Sequence, residues 1–522
     1  MKTMEKCPKI ILTAPSTEMS EYDGNHAIPF AAGFSKPWFI PRFFLKKFFF
    51  KPVRSDSIEA SVAPLGIRRL EATLVKSGFN VEDIAVVHPD NLKKATGENT
   101  EIIAVSVKDP LGLGYVSITY LSLLDLGEPI NKVEFERIMS DIGDLRRKYD
   151  LKVVVGGAGS WQLLRPENEE KHHVDIVFIG ECELDAPMVF KKLINGKAVP
   201  KVIEGRQADV ESIPLILRPS IYGSVEISRG CGRGCAFCSP TLQKRRFMPI
   251  SRIIEEIKVN LTHGINEALL VTEDIFMYGV NSSSFTPNRE AIKALFENLS
   301  SLSELKTIQV THANLAAASA DRSLARYVAE ILREKSFYTL FGKRIATIEV
   351  GIETGSPRLM RKYMAGKCKP FKPEDWPTVV TTSLSFMEDY DWVALGTLMI
   401  GLPEEEEQDV EKTIELIDMI RDHGLRTFLV RLIFVPLGTC SLKEQALKTF
   451  NELSERQVEV FALSWEHNIK TWGIDFFKSQ PSIVKIMFKI AAKLLYALKY
   501  RRGDRWRKSI ADRVLETLKS VM

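Results

Sequence analysis

The sequence predicts an α/β protein in three parts: a parallel-sheet domain, a six-unit β/α barrel, and a helical C-terminal region. Two observations carry this. Short apolar runs alternate with amphipathic stretches from residue 8 to about 205, and a second alternating series runs from about 222 to 445. Beyond 445 the pattern turns helical and increasingly basic. At 522 residues the chain also exceeds one ordinary domain. The boundaries expected are 1–210, 211–445 and 446–522.

In the first series the candidate strands are 9–14, 84–88, 101–107, 152–156 and 174–179, with candidate helices at 65–77, 132–149 and 184–194. Ligands of such sheets sit at the carboxyl ends of the strands. There the sequence places small and polar residues: the Asp109–Gly114 loop, Gly156-Gly157-Ala158-Gly159 and Gly180-Glu181-Cys182-Glu183. An insertion at about 16–62 separates the first strand from the first helix, a length uncommon for a connection and often functional. In the second series the strands fall at 224–228, 268–272, 307–312, 345–352, 393–400 and 427–434, and helical stretches follow most of them, for example 250–261, 289–299 and 405–420. Six such units predict a partial or complete barrel with its site at the C-terminal rim of the strands.

Composition excludes several classes. A hydrophobic share of 45% with 26% charged residues is that of a folded soluble protein. A net charge of +4 is too mild to imply nucleic acid, and none is expected as a partner. No secretory signal is evident at the start, and no uninterrupted apolar run of about 18–20 residues occurs. The expected location is the cytoplasm, with peripheral contact at a membrane surface as an option.

Of seven cysteines, four (Cys7, Cys182, Cys368, Cys440) are scattered, while Cys231, Cys235 and Cys238 crowd one glycine-rich loop. An odd, clustered set favours metal over disulfides. Glycines 230, 232 and 234 free the loop to curl, and three soft thiolates suit an Fe–S cluster or zinc. A structural zinc site would prefer a second cysteine pair downstream, and no matching pair exists.

The Cys231-x3-Cys235-x2-Cys238 run after the first strand of a β/α series resembles the radical S-adenosylmethionine (SAM) superfamily. The resemblance implies a [4Fe–4S] cluster held by the three cysteines. Its open iron would chelate SAM, and an electron from the cluster would cleave the sulfonium to a 5′-deoxyadenosyl radical. Further matches follow in order. Phe237 matches the aromatic beside adenine. Glu273-Asp274 ends the second strand, near the expected SAM amino group. Gly351-Ile-Glu353-Thr-Gly355-Ser356-Pro-Arg358 resembles the segment contacting SAM ribose and carboxylate. Leu398–Pro403, with Gly401, resembles the fifth-strand segment beside adenine, and 434–439 the sixth-strand exit.

The first domain resembles the Rossmann-like cobalamin-binding-like domain that precedes this barrel in the B12-dependent class. Carried over are Ala63–Gly66, Asp109 and its loop, Gly156 and Gly157, and Gly180 and Glu181 as cobalamin contacts. The whole would be a Rossmann-like domain, a (β/α)6 partial TIM barrel and a helical C-terminal region. No Asp-x-His-x-x-Gly motif supplies a lower axial histidine, and the insertion would either shape the corrin site or fill it. The family's cysteine-rich and RNA-binding extensions are missing, which argues against methylthiolation of tRNA.

Two segments are basic and apolar together. Lys36, Arg42, Lys46, Lys47, Lys51 and Arg54 interleave with Trp38, Phe39, Phe43, Phe44 and 48–50. Lys485, Lys489 and Lys493 form a stripe in 483–500, within a stretch (485–508) holding nine Lys or Arg against one Asp. Such segments lie on anionic membranes or dock as ordinary core helices. His312 is a candidate for the substrate pocket, and His172-His173 reads as surface loop.

The expected function is therefore an oxygen-sensitive radical SAM enzyme that functionalises an unactivated carbon by cobalamin-dependent methylation, fed by a carrier such as ferredoxin or flavodoxin. The rival enzyme reading is radical carbon–carbon coupling or ring formation on a membrane lipid. A rival of another class is a non-catalytic Fe–S or zinc scaffold.

Overall fold

The computed structural model describes residues 7–26, 28–37, 40–53, 55–124, 127–164, 166–281, 284–340, 342–473 and 505–521. Strands β1 (Ile10–Thr13), β2 (Ile84–Val86), β3 (Ile102–Ser106), β4 (Lys152–Gly156), β5 (Ile176–Gly180) and β6 (Val202–Gly205) form one parallel sheet in the order β2-β1-β3-β4-β5-β6. The first five are near-continuous Val/Ile/Leu runs because helices cover both faces. One face packs on the helix Ile130–Arg146, the other on Leu65–Lys76 and Ala186–Ile194.

Two elements go beyond the sequence expectation. β6 is a half-exposed edge strand with too short an apolar pattern to signal itself. The helix Tyr115–Leu124 (YVSITYLSLL) is rich in β-branched and aromatic residues, and its Ser117 and Thr119 are fully buried. It has little amphipathic contrast because both of its sides meet protein, one of them the barrel.

The barrel strands are Val225–Glu226, Glu267–Val271, Thr307–Val310 continued by His312–Ala313, Ala346–Glu353, Trp392–Ile400 and Phe428–Ile433. Every neighbouring pair is parallel and the order follows the chain. The third strand breaks at Thr311, whose hydroxyl is 2.7 Å from the Thr272 carbonyl. Its first half pairs with the second strand and its second half with the fourth, so the arc carries six strands in two sheets. Along Ala346–Glu353, Ala346, Ile348, Val350 and Ile352 are buried under the surrounding helices, while Thr347 and Glu349 alternate with them on the other face.

The insertion is ordered by short 3-10 turns at Tyr22–Gly24 and Ile28–Gly33 and by the helix Arg42–Phe48. Tyr22, Phe50 and Ile130 make a small core beneath it. It lies against the helix Ile130–Arg146 and contributes nothing to the sheet-edge cavity described below. His172 corrects the loop reading: it is buried against Phe135, ring centroids 5.2 Å apart, because the turn before β5 folds it under the sheet.

In the C-terminal region the helix Glu455–Asn468 packs on the last barrel strand, where the Asn468 side chain both donates to and accepts from the Leu429 backbone at 2.8 Å. The helix Arg505–Val521 is tied to it by Arg513, 2.7 Å from Glu459. The lysine stripe at 483–500 lies outside the described residues, as do Trp38, Phe39 and Arg54. Among the described residues no helix is long and apolar enough to cross a membrane.

Candidate active site at the barrel rim

The cysteine loop leaves the first barrel strand on glycines with positive φ: Gly230 at 75°, Gly232 at 69° and Gly234 at 74°. At Gly230 the requirement is doubled, since a Cβ there would stand 2.6 Å from the Gln243 carbonyl oxygen. Neighbouring segments hold the loop. The Gly234 amide donates to Thr241 Oγ1 at 2.6 Å and the Ala236 amide to the Tyr363 carbonyl at 2.8 Å. Cys235 is buried, and Cys231 and Cys238 are half-buried.

The electrostatics of this loop disfavour free thiolates. Burial pushes the Cys231 thiol up to about 11 and raises Cys235 and Cys238, and the neighbouring thiols lift Cys231 and Cys238 further. Left alone, all three would stay protonated at neutral pH. A cationic iron–sulfur body would stabilise the thiolates, which are soft ligands of the right kind. Among the described residues no three His, Cys, Asp or Glu side chains converge tightly enough to hold a single metal ion. Three thiols on one loop, Cys231, Cys235 and Cys238, are a donor set of the soft kind that suits an iron–sulfur cluster.

Two cations flank the thiols. Lys367 lies 2.7 Å from Glu353, whose carboxylate above all holds its ammonium charged despite burial, with Cys235 and Cys238 adding to the effect. Arg233 reaches Asp274 at 3.0 Å and the Gly366 carbonyl at 2.9 Å. A Cβ on Gly366 would collide with the Arg233 carbonyl, so the glycine lets the 365–368 turn press against the loop. Cys368, also buried on that turn, is pushed up to about 12.

The expected SAM residues separate into two groups. Phe237 is buried on the loop, and Glu353 ends the fourth strand with φ 65°, a strained value for a non-glycine residue. Its carboxylate accepts from Lys367 and faces the same space as Cys235. Glu273 stands at the second strand end beside His312, and burial raises its carboxyl while the imidazole opposes the rise. His312 Nε2 is 3.5 Å from Glu349 Oε2, its register partner on the neighbouring strand. Asp274, in contrast, is spent on structure: it caps the turn Ile275–Met277, accepts from the Asn314 amide and pairs with Arg233.

Ser356 and Arg358 form the second group. Ser356 caps the helix Pro357–Tyr363 and donates to Asp409 at 2.5 Å, and Arg358 pairs with the same Asp409 and donates to the Glu404 carbonyl at 2.7 Å. They bind the fourth-strand exit to the helix Glu407–Asp422. Gly401 turns with φ 80° and its amide donates to Glu405 at 2.8 Å.

At the sheet edge, Gly156, Gly157 and Gly180 line a cavity of about 440 Å³ together with Ala104, Phe178 and Cys182. Ser224, Glu226 and Arg229 close it from the barrel side. Gly157 has φ 100°, and a Cβ there would meet the Val107 backbone at 2.7 Å. Glu181 borders the cavity, but its carboxylate is engaged by Arg229, Arg246 and the Ala208 amide, which hold it below its usual range. Asp109 accepts from Gly114, Ser117 and Gln162, and so locks the loop that opens the helix Tyr115–Leu124.

Sequence reasoning missed three side chains here. The Tyr115 hydroxyl, from the first domain, donates to the Phe237 carbonyl at 3.0 Å. Lys367 supplies the cation beside the thiols, and Arg69 crosses the domain boundary to Glu256. Only Tyr115 carried a signal, its place directly after the Asp109–Gly114 loop.

No protein-family model matches the chain. A tRNA-2-methylthio-N(6)-dimethylallyladenosine synthase of Caldicellulosiruptor saccharolyticus is 24% identical over 308 residues, covering 56% of this chain and 59% of the relative. The ribosomal protein uS12 methylthiotransferase RimO of Thermotoga petrophila is 25% identical over 309 residues, covering 58% and 64%. The chain thus spans about three fifths of the length of these curated relatives. Among solved structures, the radical S-adenosylmethionine methyltransferase TsrM from Kitasatospora setae, with tryptophan substrate and a SAM analogue bound, aligns with TM-score 0.54 at 13% identity. The alignment covers 83% of this chain and 75% of that one. A second TsrM structure, with cobalamin and a [4Fe–4S] cluster bound, aligns with TM-score 0.53.

Proposed function

We propose that the chain is a radical SAM enzyme, and specifically a cobalamin-dependent methyltransferase acting on an unactivated carbon. The observation that carries the reading is the shared space between the two α/β domains. The glycine-lined sheet edge opens on the barrel, and Tyr115 of the first domain reaches the cysteine loop of the second. When bound, the cluster would supply the electron that cleaves SAM, and cobalamin would carry the methyl group.

The chain's own residues would then bind, orient and exclude water. Cys231, Cys235 and Cys238 hold the cluster, and Lys367 offsets the charge of the buried thiolates. Phe237 and the Gly401 turn offer backbone to an adenine. Glu273 and Glu353 offer carboxylates to an ammonium. Gly156, Gly157 and Gly180 line the sheet-edge cavity and would border the corrin and its tail. A small carrier such as ferredoxin or flavodoxin would deliver the electron.

Anaerobic reconstitution with iron, sulfide and hydroxocobalamin, followed by dithionite and SAM, tests the proposal. Expected are a visible spectrum containing both cluster and corrin, 5′-deoxyadenosine, and S-adenosylhomocysteine. Cys235→Ala should abolish the cluster and 5′-deoxyadenosine together. Zinc in place of iron, or SAM cleavage retained in Cys235→Ala, would end the cluster assignment. Cleavage with no corrin bound would leave the radical chemistry and remove the methyl-transfer step.

A further inference from the structure

The helix Arg42–Phe48 is mounted inside out. Arg42, Leu45 and Lys46 lie on one side of it and turn toward the protein. Arg42 forms a bidentate pair with Glu134 at 2.7 and 2.8 Å, Lys46 pairs with Asp90 at 2.5 Å, and Leu45 packs on the core of Tyr22, Phe50 and Ile130. Phe43, Phe44, Lys47 and Phe48 share the opposite side, as their i, i+1, i+4, i+5 spacing requires. Relative exposures of Phe43, Phe44 and Phe48 are 65%, 51% and 65%.

These rings form one surface patch. Centroids are 5.6 Å apart for Phe43–Phe44 and 6.2 Å for Phe44–Phe48, and the Lys47 ammonium lies 5.9 Å from the Phe43 ring and 5.3 Å from Phe48. Leaving three adjacent phenylalanines in water while turning two cations inward costs free energy on both counts, so the arrangement implies something that covers the rings. The charge around the patch names the cover. Between Asp23 and Asp56 the sequence has no acidic residue but carries Lys36, Arg42, Lys46, Lys47, Lys51 and Arg54. Lys47 is exposed on the patch itself, while the exposed Lys51 pairs with Asp23 at 2.7 Å.

We infer that the Phe43–Phe44–Phe48 patch is a docking prong for an anionic lipid surface. The rings would enter the headgroup and acyl boundary, while Lys47 between them meets the negative headgroups. The rigid seat through Arg42–Glu134 and the buried Phe50 fixes the prong before contact, so little conformational entropy is lost on docking. This surface stands apart from the barrel rim, and the inference holds whichever reaction the rim performs.

The test is co-sedimentation of the full chain with vesicles of phosphatidylcholine carrying about a third phosphatidylglycerol, against phosphatidylcholine alone. Binding to the anionic vesicles that weakens with salt is expected, with at least a tenfold loss of partitioning in the triple variant Phe43→Ser/Phe44→Ser/Phe48→Ser. Lys47→Glu should lose affinity for anionic vesicles only. Because the substituted side chains already face solvent, the variants should keep the wild-type circular dichroism and melting temperature. Unchanged vesicle binding in the triple variant would overturn the inference, because it would assign attachment to another part of the chain. Absence of wild-type binding would overturn it too, as would self-association that the triple variant abolishes without vesicles.

Discussion

Tyr115 and Phe237 stand 122 residues apart in the chain, yet the hydroxyl of one donates to the backbone carbonyl of the other at 3.0 Å. The bond ties the end of the Asp109–Gly114 loop to the residue just before Cys238. Tyr115 is half-buried, and burial together with Cys238, Cys440 and Glu353 holds its phenol protonated, the form that can donate.

Removing that hydroxyl should loosen the cysteine loop without unfolding the protein. Tyr115→Phe is expected to load its cluster but to lose it faster to a chelator, with stability lowered by about 1 kcal/mol, the usual net worth of one hydrogen bond. Bleaching of the visible absorption under anaerobic chelation reads the first effect and urea unfolding the second. Bleaching at the wild-type rate would show that the loop is held without this bond.

The domain boundary offers a sharper test. Arg69 and Glu256 are both buried and pair across it, with Arg69 Nη2 3.1 Å from Glu256 Oε2, and the Ile216 amide also donates to Glu256. Glu256→Ala removes the nearest partner of a buried guanidinium, leaving it Glu226 at 3.8 Å, and should cost about 3 kcal/mol in urea unfolding. The double variant Arg69→Met/Glu256→Leu should recover most of that loss, because no charge is then left unpaired. Equal losses in the single and double variants would mean that packing, not charge, dominates the contact.

Glu405 should make stability depend on pH in an unusual direction. Burial pushes its carboxyl up to about 7, against the lowering effect of hydrogen bonds from Gln457 and Gly401. The unfolded chain sheds this proton near its ordinary value of 4.5 and the folded chain only near 7. The stabilisation is therefore full below about 4.5, falls as pH rises through the interval, and is gone above 7, a change of at most about 3 kcal/mol. Glu405→Gln removes the titrating group, so its urea midpoint should fall less than that of wild type between pH 5 and pH 7.5. Parallel profiles would place the titration elsewhere.

Much of the framework was legible in the sequence. Five strands of the first sheet and all six barrel positions announced themselves because strands covered on both faces must be continuous apolar runs, and the helices between them carry their own period. The cysteine loop was legible for a different reason: its three thiols and the glycines that bend it are all local. Gly156, Gly157 and Gly180 were placed correctly at the sheet edge, since a glycine turn after a strand is also a local signal.

What the sequence could not decide was which polar side chains are free to meet a ligand. Asp274, Glu181, Ser356 and Arg358 occupy motif positions, but each is drawn into pairs with partners 41 to 65 residues away. Tyr115, Lys367 and Arg69 gained their places in the same way, through packing between distant segments. Local backbone preference and hydrophobic period are properties of neighbouring residues, so the chain alone determines them. The pairing of a buried charge is set by whatever folding brings within about 3 Å of it, and only the tertiary structure could decide that.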